Sequence, residues 1–105
     1  MVLVPAYKWG LLEACLKEAL TNVARHSNAT NVDVDLHVTE SIVRLSIRDN
    51  GTVKKNWQAG SGIRSLQLRA RSMDGSLSIS RENGFLLVCV IPLEKVGNDD
   101  SFNRR

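Results

Sequence analysis

Aromatic side chains are scarce in this chain, with two Trp, two Phe and one Tyr among 105 residues. So few rings, set far apart, do not make the stacking platform on which single-stranded nucleic acid binds. Cysteine is equally thin. Cys15 and Cys89 each sit among apolar neighbours and read as reduced core residues rather than as a disulfide. The histidines are His26 and His37, and no Cys/His group has zinc spacing. No apolar run approaches the roughly 20 residues of a membrane-crossing helix, and the N-terminus lacks a secretory-signal pattern. These absences point to a cytoplasmic domain with no direct membrane contact, no structural zinc and no nucleic-acid partner.

What is present suffices for one compact core and is too short for two. Fourteen Lys and Arg against eleven Asp and Glu leave a net charge of +3, which suits an anionic ligand without specifying one.

"MVLVPAY" (1–7) reads as a connector or strand remnant broken by Pro5. From Lys8 to about Ser27, Leu12, Leu16, Ala19, Leu20 and Val23 recur at helical spacing. "NVDVDLHV" (31–38) alternates with Val32, Val34, Leu36 and Val38 on one face. Thr39-Glu40-Ser41 then turns the chain into "IVRLSIRD" (42–49), whose Val43, Leu45 and Ile47 share a face. Residues 50–61 have no period and read as a loop. "GIRSLQLRARSM" (62–73) predicts a second helix with Ile63, Leu66, Ala70 and Met73 on its apolar stripe. "SLSISRENGFLLVCVIP" (76–92) predicts a hairpin whose Asn83-Gly84 suits a two-residue type I′ turn. Pro92 ends it, and 94–105 is expected to be a disordered tail. Helix, two strands, loop, helix, two strands predicts an α+β fold: a two-layer α/β sandwich with a mostly antiparallel sheet and the helices on one face.

Three places break the pattern. Asp49 keeps the parity of Val43, Leu45 and Ile47, so its carboxylate points toward the core, where it needs a donor; a plain turn residue in Asp49-Asn50-Gly51 is the simpler reading. Gly60-Ser61-Gly62 opens the second helix, with Ser61 as its expected cap and bare N–H groups suited to phosphate; a loop terminator is the simpler reading there. In "EALTNVARHSNA" (18–29), Glu18, Asn22 and Arg25 return to one sector beside the apolar stripe, with His26 at its edge. A carboxylate and an amide oxygen are hard ligands suited to Mg²⁺, and Arg25 and His26 suit phosphate oxygens; for any one of them alone, a solvated helix face is the simpler reading.

Taken in order and spacing, "EALTNVARHSNA", "DNG" and "GSGI" resemble the N, G1 and G2 boxes of the GHKL ATPases. More narrowly, residues 12–93 resemble the ATP-binding catalytic domain of bacterial two-component sensor histidine kinases, in the subclass that partners LuxR-type response regulators. The resemblance implies a GHKL (Bergerat) domain over 8–93 that uses ATP and Mg²⁺. It implies that Asn22 ligates Mg²⁺ and that Glu18 orders the metal's water shell or assists proton transfer. Arg25 and His26 would lie near the phosphates, and Asp49 would accept from the adenine amine. Gly51 would let the backbone pass close to the base, while Gly60, Gly62 and Ile63 would frame the phosphate seat. Residues 52–60, with Lys54, Lys55 and Trp57, would form a short lid. The chain departs from the family pattern at Val53, where a second glycine is frequent, at Ser65-Leu66, and at Phe85, where Thr is usual. The phosphoacceptor histidine would come from a separate dimerisation and histidine phosphotransfer domain. An alternative stays open: a GHKL-type regulatory module, either an anti-sigma-factor-like serine kinase or an inactive nucleotide binder.

Overall fold

The structure, a computed structural model, describes residues 3–26, 28–52 and 60–94. The segment expected to act as a lid and the expected C-terminal tail fall largely outside these residues, as does the side chain of His26.

The first helix, α1, spans Ala6–His26. It starts two residues before the expected Lys8, because the Pro5 carbonyl accepts from the Lys8 and Trp9 amides at 3.0 and 3.1 Å. Proline suits a helix start, where an N–H is not needed. The buried stripe is Leu11, Leu12, Cys15 and Ala19, with Leu16 and Val23 half-buried. Leu20, expected inside, is 43% exposed. The face is thus rotated relative to the simplest sequence reading, toward the line through Leu11 and Cys15.

β1 (Val32–Val38) and β2 (Ile42–Asp49) pair antiparallel, with Val34 opposite Ile47 and Leu36 opposite Leu45. α2 runs over Ser61–Ser72, one residue earlier than expected at each end, and buries Ile63, Leu66 and Ala70. Its N-cap is Gly60, with no side-chain capping bond, so Ser61 is the first helical residue and not the cap. β3 (Ser76–Ser80) and β4 (Leu86–Pro92) follow. Asn83 and Gly84 take φ of 56° and 96°, the left-handed pair a type I′ turn uses. The ladder nonetheless closes at Ser80 opposite Leu86, leaving 81–85 as a longer connection than the expected two-residue loop. Phe85 leaves the hairpin ladder because its backbone pairs with Asp49 instead: the Asp49 amide donates to the Phe85 carbonyl at 2.9 Å.

The four strands lie in the order β1-β2-β4-β3, all neighbours antiparallel. The β2–β4 pair at the centre places Leu45 opposite Cys89 and Ile47 opposite Leu87. Inward residues of these strands meet the two helices in one core that includes Leu11, Cys15, Ile47, Ile63, Leu87 and Ile91. The expected two-layer α/β sandwich is what forms. Cys15 and Cys89 are both free, fully buried and hydrogen-bonded to each other across α1 and β4. That bond, together with burial, pushes the Cys15 thiol far above its ordinary range and keeps it protonated.

Both helices lie over the β2, β4 and β3 side of the sheet, so the edge strand β1 is covered least. A groove of about 490 Å³ remains between α1 and β1, lined by Trp9, Leu12, Leu16, Val34 and Leu36, with Glu13 at the rim.

Candidate functional site

Asp49 closes β2 and is 2% exposed, as its parity predicts. Its Oδ1 accepts from the Gly51 amide at 2.9 Å and from the Phe85 amide at 3.2 Å. Its Oδ2 is buried and has no partner among the described residues. Gly51 is buried beside it. Gly84 passes so near that a β-carbon there would strike the Asp49 carbonyl, and its φ of 96° independently requires glycine. One oxygen is therefore held by the fold, and the other has no donor among the described residues. A buried carboxylate oxygen without a hydrogen bond is costly unless a ligand completes it. Gly84 and the Phe85 amide escaped the sequence reading, since their contact with Asp49 depends on the β2–β4 pairing.

The α1 residues form the second part. Asn22 is half-buried and lies in helical phase with Leu11 and Cys15, within the buried stripe rather than beside it. Its Nδ2 is buried without a partner among the described residues. Glu18 is also half-buried and touches the first turn of α2. A β-carbon at Gly62 would lie 2.5 Å from Glu18 Oε1, so the missing side chain is what lets the carboxylate reach α2. Glu18 and Gly62 are thereby brought together, as are Asp49, Gly51 and Gly84.

The remaining expected residues stand differently. Arg25 is exposed, and among the described residues no ion pair joins it to Glu18. Gly60 is exposed, with extended backbone, at the start of α2. Ile63 is 1% exposed and belongs to the core.

Among the described residues no cluster of three His, Cys, Asp or Glu side chains would enclose a metal ion. Glu18 and Asn22 still fit Mg²⁺, which is commonly held by one or two protein oxygens plus substrate phosphates. Two orphaned polar atoms, Asp49 Oδ2 and Asn22 Nδ2, are what a site completed by a polar ligand would leave.

This architecture has been seen before. The chain superposes on the histidine kinase domain of the blue-light activated histidine kinase of Erythrobacter litoralis with a TM-score of 0.62. The match covers 80% of this chain and 44% of that one at 21% identity, and shows a shared fold. No family model matches the chain. Sequence relatives narrow the class: the chain belongs with the sensor histidine kinases. It is 38% identical over 85 residues to Sensor histidine kinase DesK of Bacillus subtilis, covering 78% of this chain and 23% of the relative. It is 31% identical over 86 residues to Sensor histidine kinase YvfT of the same organism, covering 81% of this chain and 23% of that relative. The chain therefore spans about a quarter of the length of the curated relatives it matches. Among the described residues no helix is long and apolar enough to cross a membrane.

Proposed function

We propose that this chain is the ATP- and Mg²⁺-binding catalytic domain of a sensor histidine kinase. It donates the γ-phosphoryl group of ATP to a histidine on a separate dimerisation domain, for relay at the cytoplasmic face to a LuxR-type response regulator. The observation that carries the reading is Asp49: Oδ1 is locked by two backbone amides, and Oδ2 is buried with no donor among the described residues. An exocyclic amine, as on adenine, is the donor such an oxygen lacks.

In this reading the base enters beside Gly51 and Gly84, where no side chain obstructs it, and is fixed by Asp49. Glu18 and Asn22 supply oxygen ligands, and the exposed start of α2 at Gly60-Ser61-Gly62 turns bare amides toward the phosphates. Mg²⁺, when bound, neutralises charge on the phosphate oxygens. The P–O bond to the β-phosphate breaks, a P–N bond to the acceptor imidazole forms, and the ring proton leaves to a base such as Glu18. The domain contributes positioning and charge more than covalent chemistry.

Calorimetric titration with Mg-ATP and Mg-GTP tests the first half. Saturable binding that favours ATP is expected, and equal binding of the two would remove Asp49 from base recognition. Mixing the ATP-loaded chain with a dimerisation domain tests the second half. Acid-labile, base-stable phosphate on that domain is the expected product; phosphoserine on a partner would move the chain to the regulatory serine-kinase class instead.

A further inference from the structure

Two asparagines that carry no role in the site described above make a set of hydrogen bonds beside it. Asn28, in the loop between α1 and β1, accepts through Oδ1 from the Thr52 amide at 2.8 Å and from the Thr52 hydroxyl at 3.4 Å. Asn50 makes the reciprocal connection. Its Oδ1 accepts from the Thr30 and Asn31 amides at 2.9 and 3.0 Å, and its Nδ2 donates to Thr30 Oγ1 at 3.0 Å. The Asn50 amide donates to the Asn31 carbonyl at 3.2 Å, and the Thr30 hydroxyl to Asn31 Oδ1 at 2.9 Å. The bonds made by Asn28 and Asn50 join segments 19 to 24 residues apart in sequence. One segment continues the helix that carries Glu18 and Asn22. The other carries Asp49 and Gly51.

We propose that Asn28 and Asn50 are positioning residues that hold the phosphate end and the base end of the nucleotide site at a fixed separation. The proposal rests on the ATP reading. A nucleotide meets both ends at once, so its affinity depends on their being ordered beforehand; a ligand that meets one end does not gain from that order. Adenosine and inorganic triphosphate are such single-ended ligands. Asn28 acts only as an acceptor toward Thr52, so a carboxylate at this position preserves both contacts. Both asparagines and Thr52 are solvent-exposed. Their bonds therefore add little to global stability, which separates positioning from folding in a measurement.

Calorimetry on the full chain and on Asn28→Ala, Asn28→Asp and Asn50→Ala, each titrated with Mg-ATP, adenosine and Mg-triphosphate, tests this. Asn28→Ala and Asn50→Ala should each weaken Mg-ATP by about tenfold, the worth of one or two hydrogen bonds, with the single-ended ligands changed less than about twofold. Asn28→Asp should bind Mg-ATP as the parent chain does, and thermal unfolding of all three variants should match the parent. Undiminished Mg-ATP binding by Asn28→Ala overturns the proposal. So does equal weakening of all three ligands, or a fall in unfolding temperature that tracks the loss of affinity, since either outcome makes Asn28 a structural residue. Absence of Mg-ATP binding by the parent chain is a separate result: it removes the catalytic reading itself, and the positioning role of the two asparagines with it.

Discussion

One oxygen of the Asp49 carboxylate is bound within the fold and the other has no donor among the described residues, and this difference sets what a substitution there does. Asn at position 49 keeps an oxygen for the Gly51 and Phe85 amides but turns an N–H₂ group where Oδ2 stood. Two donors then face each other. Asp49→Asn is expected to fold and to weaken ATP by on the order of ten- to a hundredfold, the range of a lost charged hydrogen bond. Inorganic triphosphate should bind as before, and calorimetry with the two ligands checks the contrast. Asn22 gives the opposite stability signature. Its buried Nδ2 has no partner among the described residues, and Ala is the better helix former, so Asn22→Ala should match or exceed the parent stability by up to about 1 kcal/mol. It should also remove most of the Mg²⁺ dependence of nucleotide binding. Urea midpoints with and without Mg-ATP separate the two effects. A large loss of stability in the absence of ligand would make Asn22 a structural residue.

The elements were legible where one periodicity decided them. Alternation in β1 and β2 marks the strands to within a residue, and the parity that places Ile47 inside places Asp49 inside as well. In α1 the period is clear but the phase is not, because Leu11, Leu12, Leu16 and Leu20 offer more than one apolar stripe. Contact with α2 and the sheet selects the Leu11–Cys15–Ala19 line and leaves Leu20 outside. That selection is testable. Leu11→Ala should cost about 2–5 kcal/mol through the cavity it opens, whereas Leu20→Ala should stay within about 0.5 kcal/mol; chemical denaturation of both variants decides. The contacts of Phe85 and Gly84 with Asp49 had no local signal, since they arise between strands far apart in sequence. The early end of the β3–β4 ladder has the same origin. Cys15 and Cys89 sit in that α1–β4 contact, and the pushed-up Cys15 thiol remains protonated as pH rises through the free-thiol range near 8.5. Alkylation of the native chain at Cys15 should therefore stay slow from pH 7 to 9, where a free thiol accelerates, and become fast only in denaturant.

At the scale of the whole molecule, the sheet consists of two local hairpins, β1–β2 and β3–β4, joined along β2 and β4. Each hairpin closes over a short connection. The joint brings together residues from 36 positions apart in sequence, Phe85 and Asp49, to 50 apart, Ile42 and Pro92. Closing distant segments is the slow part of folding. The base end of the proposed nucleotide site draws on both hairpins, with Asp49 and Gly51 from the first and Gly84 and the Phe85 amide from the second. Neither hairpin alone possesses it. A ligand held there recognises the joined chain and ignores every partly assembled one, so it adds to the free energy of unfolding by mass action, the more so the further its concentration exceeds its Kd. ATP would then act on this protein as a proofreader of its own assembly, raising the population of finished molecules as the nucleotide concentration rises.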